Sequence, residues 1–183
     1  MSAPEHQLAM RNDPDEPIGL LIGALRRRIK QAVGSCVRAY GLSVQQFWVL
    51  VAISEMPGLS LGELAMHLRM DKPTASRVVF TLMRRKLLDV KGDAADRRRA
   101  RLYLGSGGAR LAKELQQHAT AVRSAVTRGL SVAEQDALRK SLRKIIGNMD
   151  RFQEQQSRPP GQHANPPVVV AQRSRLRRPL QPG

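Results

Sequence analysis

Cysteine is nearly missing from this chain of 183 residues. Cys36 stands alone, so no internal disulfide can form, and the composition suits a reducing cytoplasm. The four histidines, His6, His67, His118 and His163, are scattered and show no metal-ligand spacing with cysteine or carboxylate, so no metal site is expected. Glycine-rich phosphate loops, dinucleotide fingerprints and nucleophile elbows are also lacking, which argues against an enzyme and against a bound cofactor. No apolar run approaches the roughly 20 residues of a membrane helix. The opening residues are polar, with early acids and Pro4, Pro14 and Pro17, and do not read as a signal peptide. Acids are the last shortage: 15 Asp and Glu face 31 Lys and Arg, a net charge of +16.

The positive charge belongs mainly to the middle of the chain. Residues 1–16 hold one Arg and four acids, and residues 157–183 hold five Arg and no acid. Residues 17–156 keep 25 Lys and Arg against 11 acids, so the globular part is itself basic. Polyanions are the natural partners, phosphate backbones or anionic membrane surfaces.

What is present centres on residues 60–104. Ser60-Leu61-Gly62-Glu63 is a capping box, with Leu59 and Leu64 placed as a hydrophobic staple. This helix is expected to end near Arg69. Asp71 can cap a second helix over residues 72–86, with Pro73 tolerated in its first turn. At 100° per residue, Ala75, Val78, Val79, Leu82 and Met83 share one face. Pro73, Arg77, Phe80, Thr81 and Arg84 share the other. Anchored by its aliphatic side and offering Arg, Thr and Lys outward, such a helix suits a DNA major groove. Leu88 and Val90, then Ala100, Leu102 and Leu104, alternate as half-buried strands do. The polar tip between them runs Gly92-Asp93-Ala94-Ala95-Asp96-Arg97-Arg98. Helix-turn-helix followed by a basic hairpin is a winged helix, and the arginines of the wing can enter a minor groove.

Long helices flank this region. Pro17 opens one whose stripe, Ile18, Leu21, Ile22, Leu25, Ile29, Val33, Val37 and Tyr40, is long enough to meet another helix throughout, and Gly41 ends it. Ser43-Val44-Gln45-Gln46 is another capping box, starting a helix with Phe47, Leu50, Val51 and Ile53 that stops at Met56-Pro57-Gly58. Trp48, the one tryptophan, reads as core or interface packing, with a ligand-pocket lining as the alternative. Cys36 reads as a small buried apolar side chain. After the wing, Leu111, Leu115, Val122, Val126 and Leu130 mark a helix. Ser131-Val132-Ala133-Glu134 caps the last one, striped by Leu138, Leu142, Ile145, Ile146, Met149 and Phe152. A single small chain has little to cover these stripes with, so a two-fold dimer is expected. Its two reading helices would lie about 34 Å apart and match a pseudo-palindromic site. Residues 1–16 read as a flexible arm, and residues 157–183, rich in Pro, Gln, Gly and Arg, as a disordered basic tail.

Pro73-Thr74-Ala75-Ser76-Arg77, Leu82, Leu87-Leu88, Asp93-Ala94-Ala95-Asp96-Arg97-Arg98, Leu102, Leu104 and Gly108 together resemble the MarR family (multiple antibiotic resistance regulators). The resemblance spans roughly residues 18–152. It implies a mainly α fold, a winged helix of three helices and a two-stranded β wing over about 43–104. Long helices at about 17–40 and 106–153 would form a dimerisation domain. It further implies a transcription factor, usually a repressor, often released by a small ligand such as an aromatic acid. The residues implied to contact DNA are Ser60, Lys72, Pro73, Thr74, Ser76, Arg77, Thr81, Arg84, Arg97, Arg98 and Arg99, with Asp96 bracing Arg98. Three positions depart from the family pattern. Lys86 stands where a glycine usually ends the recognition helix, Val90 where an arginine is common, and Gly105 where a threonine usually caps the next helix. The competing expectations are a sequence-neutral nucleic-acid or architectural binder, and a winged-helix module for protein contacts.

Overall fold

The computed structural model describes residues 15–92 and 100–157. The chain divides into two compact units, with the break between Arg128 and Gly129.

In the first unit, α1 (Ile18–Val37) runs into a short 3₁₀ turn at Arg38–Tyr40. Gly41 stops it with φ 60°, the left-handed conformation that glycine adopts without a Cβ penalty. α2 (Val44–Glu55), α3 (Leu61–His67) and α4 (Lys72–Arg84) follow. The capping boxes appear as read: Ser43 with Gln46, and Ser60 with Glu63, each bonded in both directions. Asp71 caps α4 by accepting the Thr74 amide at 2.8 Å.

The core sits around α2. Its Phe47, Val49, Leu50, Val51, Ala52 and Ile53 are all buried, so the helix is enclosed nearly all round rather than on one stripe. Leu64 from α3, Leu82 from α4, Leu88 and Leu102 from the strands, and Leu115 from α5 (Gly108–Thr127) close around it. α1 joins this core only through its second half, where Val33 and Val37 are buried. In the first half Ile18 and Leu20 are more than 60% exposed and Leu21, Ile22 and Leu25 are also open. Within one chain, therefore, the stripe of α1 is covered along half its length and not throughout.

β1 (Leu88–Gly92) and β2 (Ala100–Leu104) form an antiparallel pair in which Leu88 faces Leu104 and Val90 faces Leu102. Leu59 bridges to Leu102 on the other side of β2. That placement explains a departure from simple alternation. Leu102, flanked on both sides, is 3% exposed, whereas Val90 on the outer strand is 41% exposed. Ala100, at the far end of the hairpin, is exposed too.

α4 ends at Arg84, two residues earlier than its apolar spacing suggests, and Met83 is partly open rather than buried. Lys86 then takes φ 57°. The Leu87 amide donates to the Leu82 carbonyl at 2.9 Å and the Lys86 amide to Met83 at 2.8 Å. This is a Schellman ending with lysine in the glycine position. Arg69 ends α3 in the same way, at φ 50°. The expected threonine cap before α5 is replaced by close packing. A Cβ on Gly105 would lie 2.6 Å from the Lys86 carbonyl oxygen, and one on Gly108 would lie 2.1 Å from that of Leu87. α5 accordingly starts with no side-chain cap. It also stops at Thr127, so Leu130 lies beyond it.

The second unit holds α6 (Val132–Gln156), opened by the third capping box, Ser131 with Glu134. No residue of α6 is buried; Leu138, Ile146, Met149 and Phe152 are all open. Among the described residues, no single helix is long and apolar enough to cross a membrane.

Candidate nucleic-acid interface

α4 is seated by Ala75, Val78, Val79 and Leu82, all buried. The opposite side carries Pro73, Ser76, Arg77, Thr81 and Arg84, all exposed, with Lys72 exposed at the first turn. Thr74 is half-buried. The face is partly ordered by its own bonds. Arg77 donates to the Thr74 hydroxyl at 3.3 Å, and the Thr81 hydroxyl donates to the Arg77 carbonyl at 2.9 Å. The amide and hydroxyl of Thr74 hold the Asp71 carboxyl below its ordinary range, so the cap stays ionised and keeps accepting at neutral pH. Beside the helix, Ser43, Gln45 and Gln46 at the start of α2 face Thr74, Arg77, Val78 and Thr81 across an open groove. This places a helix N-terminus and two amide side chains next to the arginine face.

Ser60 is less open than its sequence role suggests. It is half-buried, and its Oγ accepts the Glu63 amide at 3.2 Å as the cap of α3. Arg97, Arg98 and Arg99 lie outside the described residues. The base of the hairpin is fastened through Arg101, which donates to Glu63 Oε2 at 2.9 Å and to the Gly58 carbonyl at 3.2 Å. The same Glu63 oxygen accepts the Ser60 amide at 2.7 Å. One carboxylate thus joins the α3 cap to β2.

Two further arrangements border the face. Arg85, just past α4, donates to the carbonyls of Gly41 at 2.9 Å and Tyr40 at 3.3 Å. It satisfies acceptors left open where the 3₁₀ turn ends. Farther off, Trp48 packs edge-on against Phe47, with ring centroids 4.8 Å apart, and the Arg123 guanidinium lies 5.9 Å from the Trp48 ring. Arg123 is bidentate to Glu55, and this pairing holds the Glu55 carboxyl below its ordinary range. Trp48 is therefore half-buried beside the core. Cys36 is likewise half-buried and packs against the same core.

Sequence reasoning placed Phe80 on the outward side of α4 without giving it a role. It missed Gln45 and Gln46 as neighbours of that face, and it missed Arg85. The exposed spacing of Phe80 was visible beforehand. Arg85 had no local signal, since its acceptors lie 44 and 45 residues away. Among the described residues no group of three or more His, Cys, Asp or Glu is placed to hold a metal ion.

Residues 40–99 match the MarR family. No curated protein matches the chain by sequence. Three solved structures illustrate the likeness. BpsR of Bordetella bronchiseptica is 29% identical, covering 78% of this chain and 97% of its own at a TM-score of 0.60. The transcriptional regulator SlyA is 22% identical, covering 75% and 96% at 0.63. S. aureus MepR, solved as a DNA complex, is 22% identical, covering 72% and 98% at 0.62. The two at 22% speak for the fold alone. Together with the helix order, the two-stranded hairpin and the sequence match, these findings lead to one conclusion: residues 40–99 are a MarR-family winged helix, set in the fold of MarR-type transcription regulators.

Proposed function

We propose that the chain works as a two-fold homodimer that binds a pseudo-palindromic operator and represses transcription until a small ligand releases it. In this reading α4 enters the major groove. Pro73, Thr74, Ser76, Arg77 and Thr81 meet base edges, and Lys72 and Arg84 meet phosphates. Arg97 and Arg98 read minor-groove width, and Arg99 adds a further DNA contact. The observation that carries it is the division of α4 between an aliphatic side seated by Ala75, Val78, Val79 and Leu82 and an exposed side bearing arginine, serine and threonine. The dimer is supported by the open apolar residues of α1 and α6, which a second copy would cover. Release by a ligand is supported by analogy. The DNA binding of BpsR is regulated by 6-hydroxynicotinic acid, so aromatic acids are the first class to try, with Trp48 as the candidate lining residue.

Titration of operator fragments against bulk genomic DNA tests the reading. The operator should win by a factor of about 10³ or more, and affinity should fall steeply with salt. Arg98→Ala should weaken operator binding by about 1–3 kcal/mol while leaving the melting curve in place. Equal affinity for operator and bulk DNA would instead identify a sequence-neutral binder. An aromatic acid that binds free and operator-bound protein equally well would rule out release by that ligand.

A further inference from the structure

The aliphatic side of α4 is complete without Phe80, which is 61% exposed on the opposite side. It follows Arg77 by three residues and precedes Arg84 by four, so these three share one outward stripe. Its neighbours on that side, Ser76, Arg77, Thr81 and Arg84, are polar and exposed. Among the described residues no aromatic ring or guanidinium stacks on it. The other exposed phenylalanine, Phe152, differs in kind. It continues the apolar stripe of α6 with Met149 and Ile146, where a second copy would cover it. The one partly open apolar residue a helical turn away is Met83, 38% exposed at the rim of the seated side, so Phe80 stands on a mainly polar face and not in a broad apolar patch.

A phenyl ring neither donates nor accepts a conventional hydrogen bond. Pressed on guanine, adenine or cytosine edges, it would leave their donors and acceptors unpaired, which is unfavourable. The one apolar group on the floor of the major groove is the C5 methyl of thymine, and phenylalanine is among the side chains that contact it. We infer that Phe80 is a specificity-determining residue that selects a thymine in each half-site by packing on its C5 methyl. This rests on the reading of α4 as the recognition helix. At about 1.5 Å per residue, Phe80 lies about 4.5 Å along the axis from Arg77, little more than one base-pair step of about 3.4 Å. The thymine therefore falls within about two base pairs of the pair that Arg77 approaches.

The test starts with sites selected by the full-length protein from random duplexes. Each thymine of the selected half-site is then replaced by deoxyuridine in both halves, removing only the methyl. At one or two positions the wild-type protein should lose affinity about fourfold per half-site, or about fifteenfold for the whole operator. Phe80→Ala should bind the thymine and deoxyuridine operators alike, and Phe80→Leu should keep part of the preference. Wild-type indifference at every thymine would overturn the inference, as would a Phe80→Ala protein that still loses affinity with deoxyuridine. If no sequence is selected at all, the recognition-helix reading has failed and this inference goes with it. A selected operator without a methyl-sensitive position removes this inference alone.

Discussion

α2 and α6 are encoded locally in the same way and end in opposite environments. Each opens with a serine capping box bonded in both directions. Each carries apolar residues at helical spacing. Yet α2 buries Phe47, Val49, Leu50, Val51, Ala52 and Ile53, whereas α6, about twice as long, buries nothing. The lesson is that a capping box and a periodic stripe specify a helix and do not say what it packs against. The first unit, the head of the molecule, closes its own core. The apolar side of α6 is left for something outside the described chain, and a second copy is the economical candidate.

The sharpest way to break this contrast is to truncate one phenylalanine in each helix. Phe47→Ala should cost about 3–5 kcal/mol in denaturant unfolding, because the side chain is fully enclosed. Phe152→Ala, at a side chain 52% exposed, should leave the unfolding of the head unchanged. It should instead shift sedimentation toward the monomer. Equal losses of stability in both variants would mean that α6 is as much a part of the core as α2.

A second test uses glycines. A methyl on Gly108 would meet the Leu87 carbonyl at 2.1 Å, so Gly108→Ala should destabilise by about 1–3 kcal/mol through forced backbone movement. Gly62 in α3 has nothing within 4 Å of an added methyl. Gly62→Ala should therefore raise stability by about 0.5–1 kcal/mol through helix propensity. Paired thermal melts decide both, and an unaffected Gly108→Ala protein would show that the chain does not pack so tightly where α5 begins.

A comparably small effect is expected at Lys86. Its φ of 57° is left-handed, a conformation that favours glycine. Lys86→Gly should stabilise the head by about 1 kcal/mol, since it removes Cβ strain while keeping the Schellman bonds. No change or a loss in the urea midpoint would mean that the lysine stem contributes as much contact as the strain removes.

These cases also mark what could be read in advance. The caps at Ser43, Ser60, Asp71 and Ser131 were legible because each is written within four residues. The seated side of α4 was legible because period 3.6 carries it, although Met83 at the rim of that face proved open. The hairpin was legible from alternation, but the exposure of Val90 was not, because it depends on which strand edge is covered. Contacts between distant residues left no local trace. Glu55 meets Arg123 across 68 residues, and Arg101 meets Gly58 across 43. The tight passage of Gly105 and Gly108 against Lys86 and Leu87 was hidden for the same reason, since only the folded path shows which backbones cross. At the interface, residue types and spacing pointed to Pro73, Ser76 and Arg77. They could not reveal that the Ser60 oxygen is engaged in a cap or that Gln45 stands beside the arginine.

Arg85 gives the fold a hinge pin. By grasping the carbonyls of Tyr40 and Gly41, it fastens the tail of the reading helix to the foot of α1. α1 spans 20 residues, about 30 Å, and its upper half lies bare within one chain. Because Val33 and Val37 anchor the lower half of α1 in the core, a tilt imposed on that bare end would bear on the interior around α2, with Arg85 tying the same segment to the end of α4.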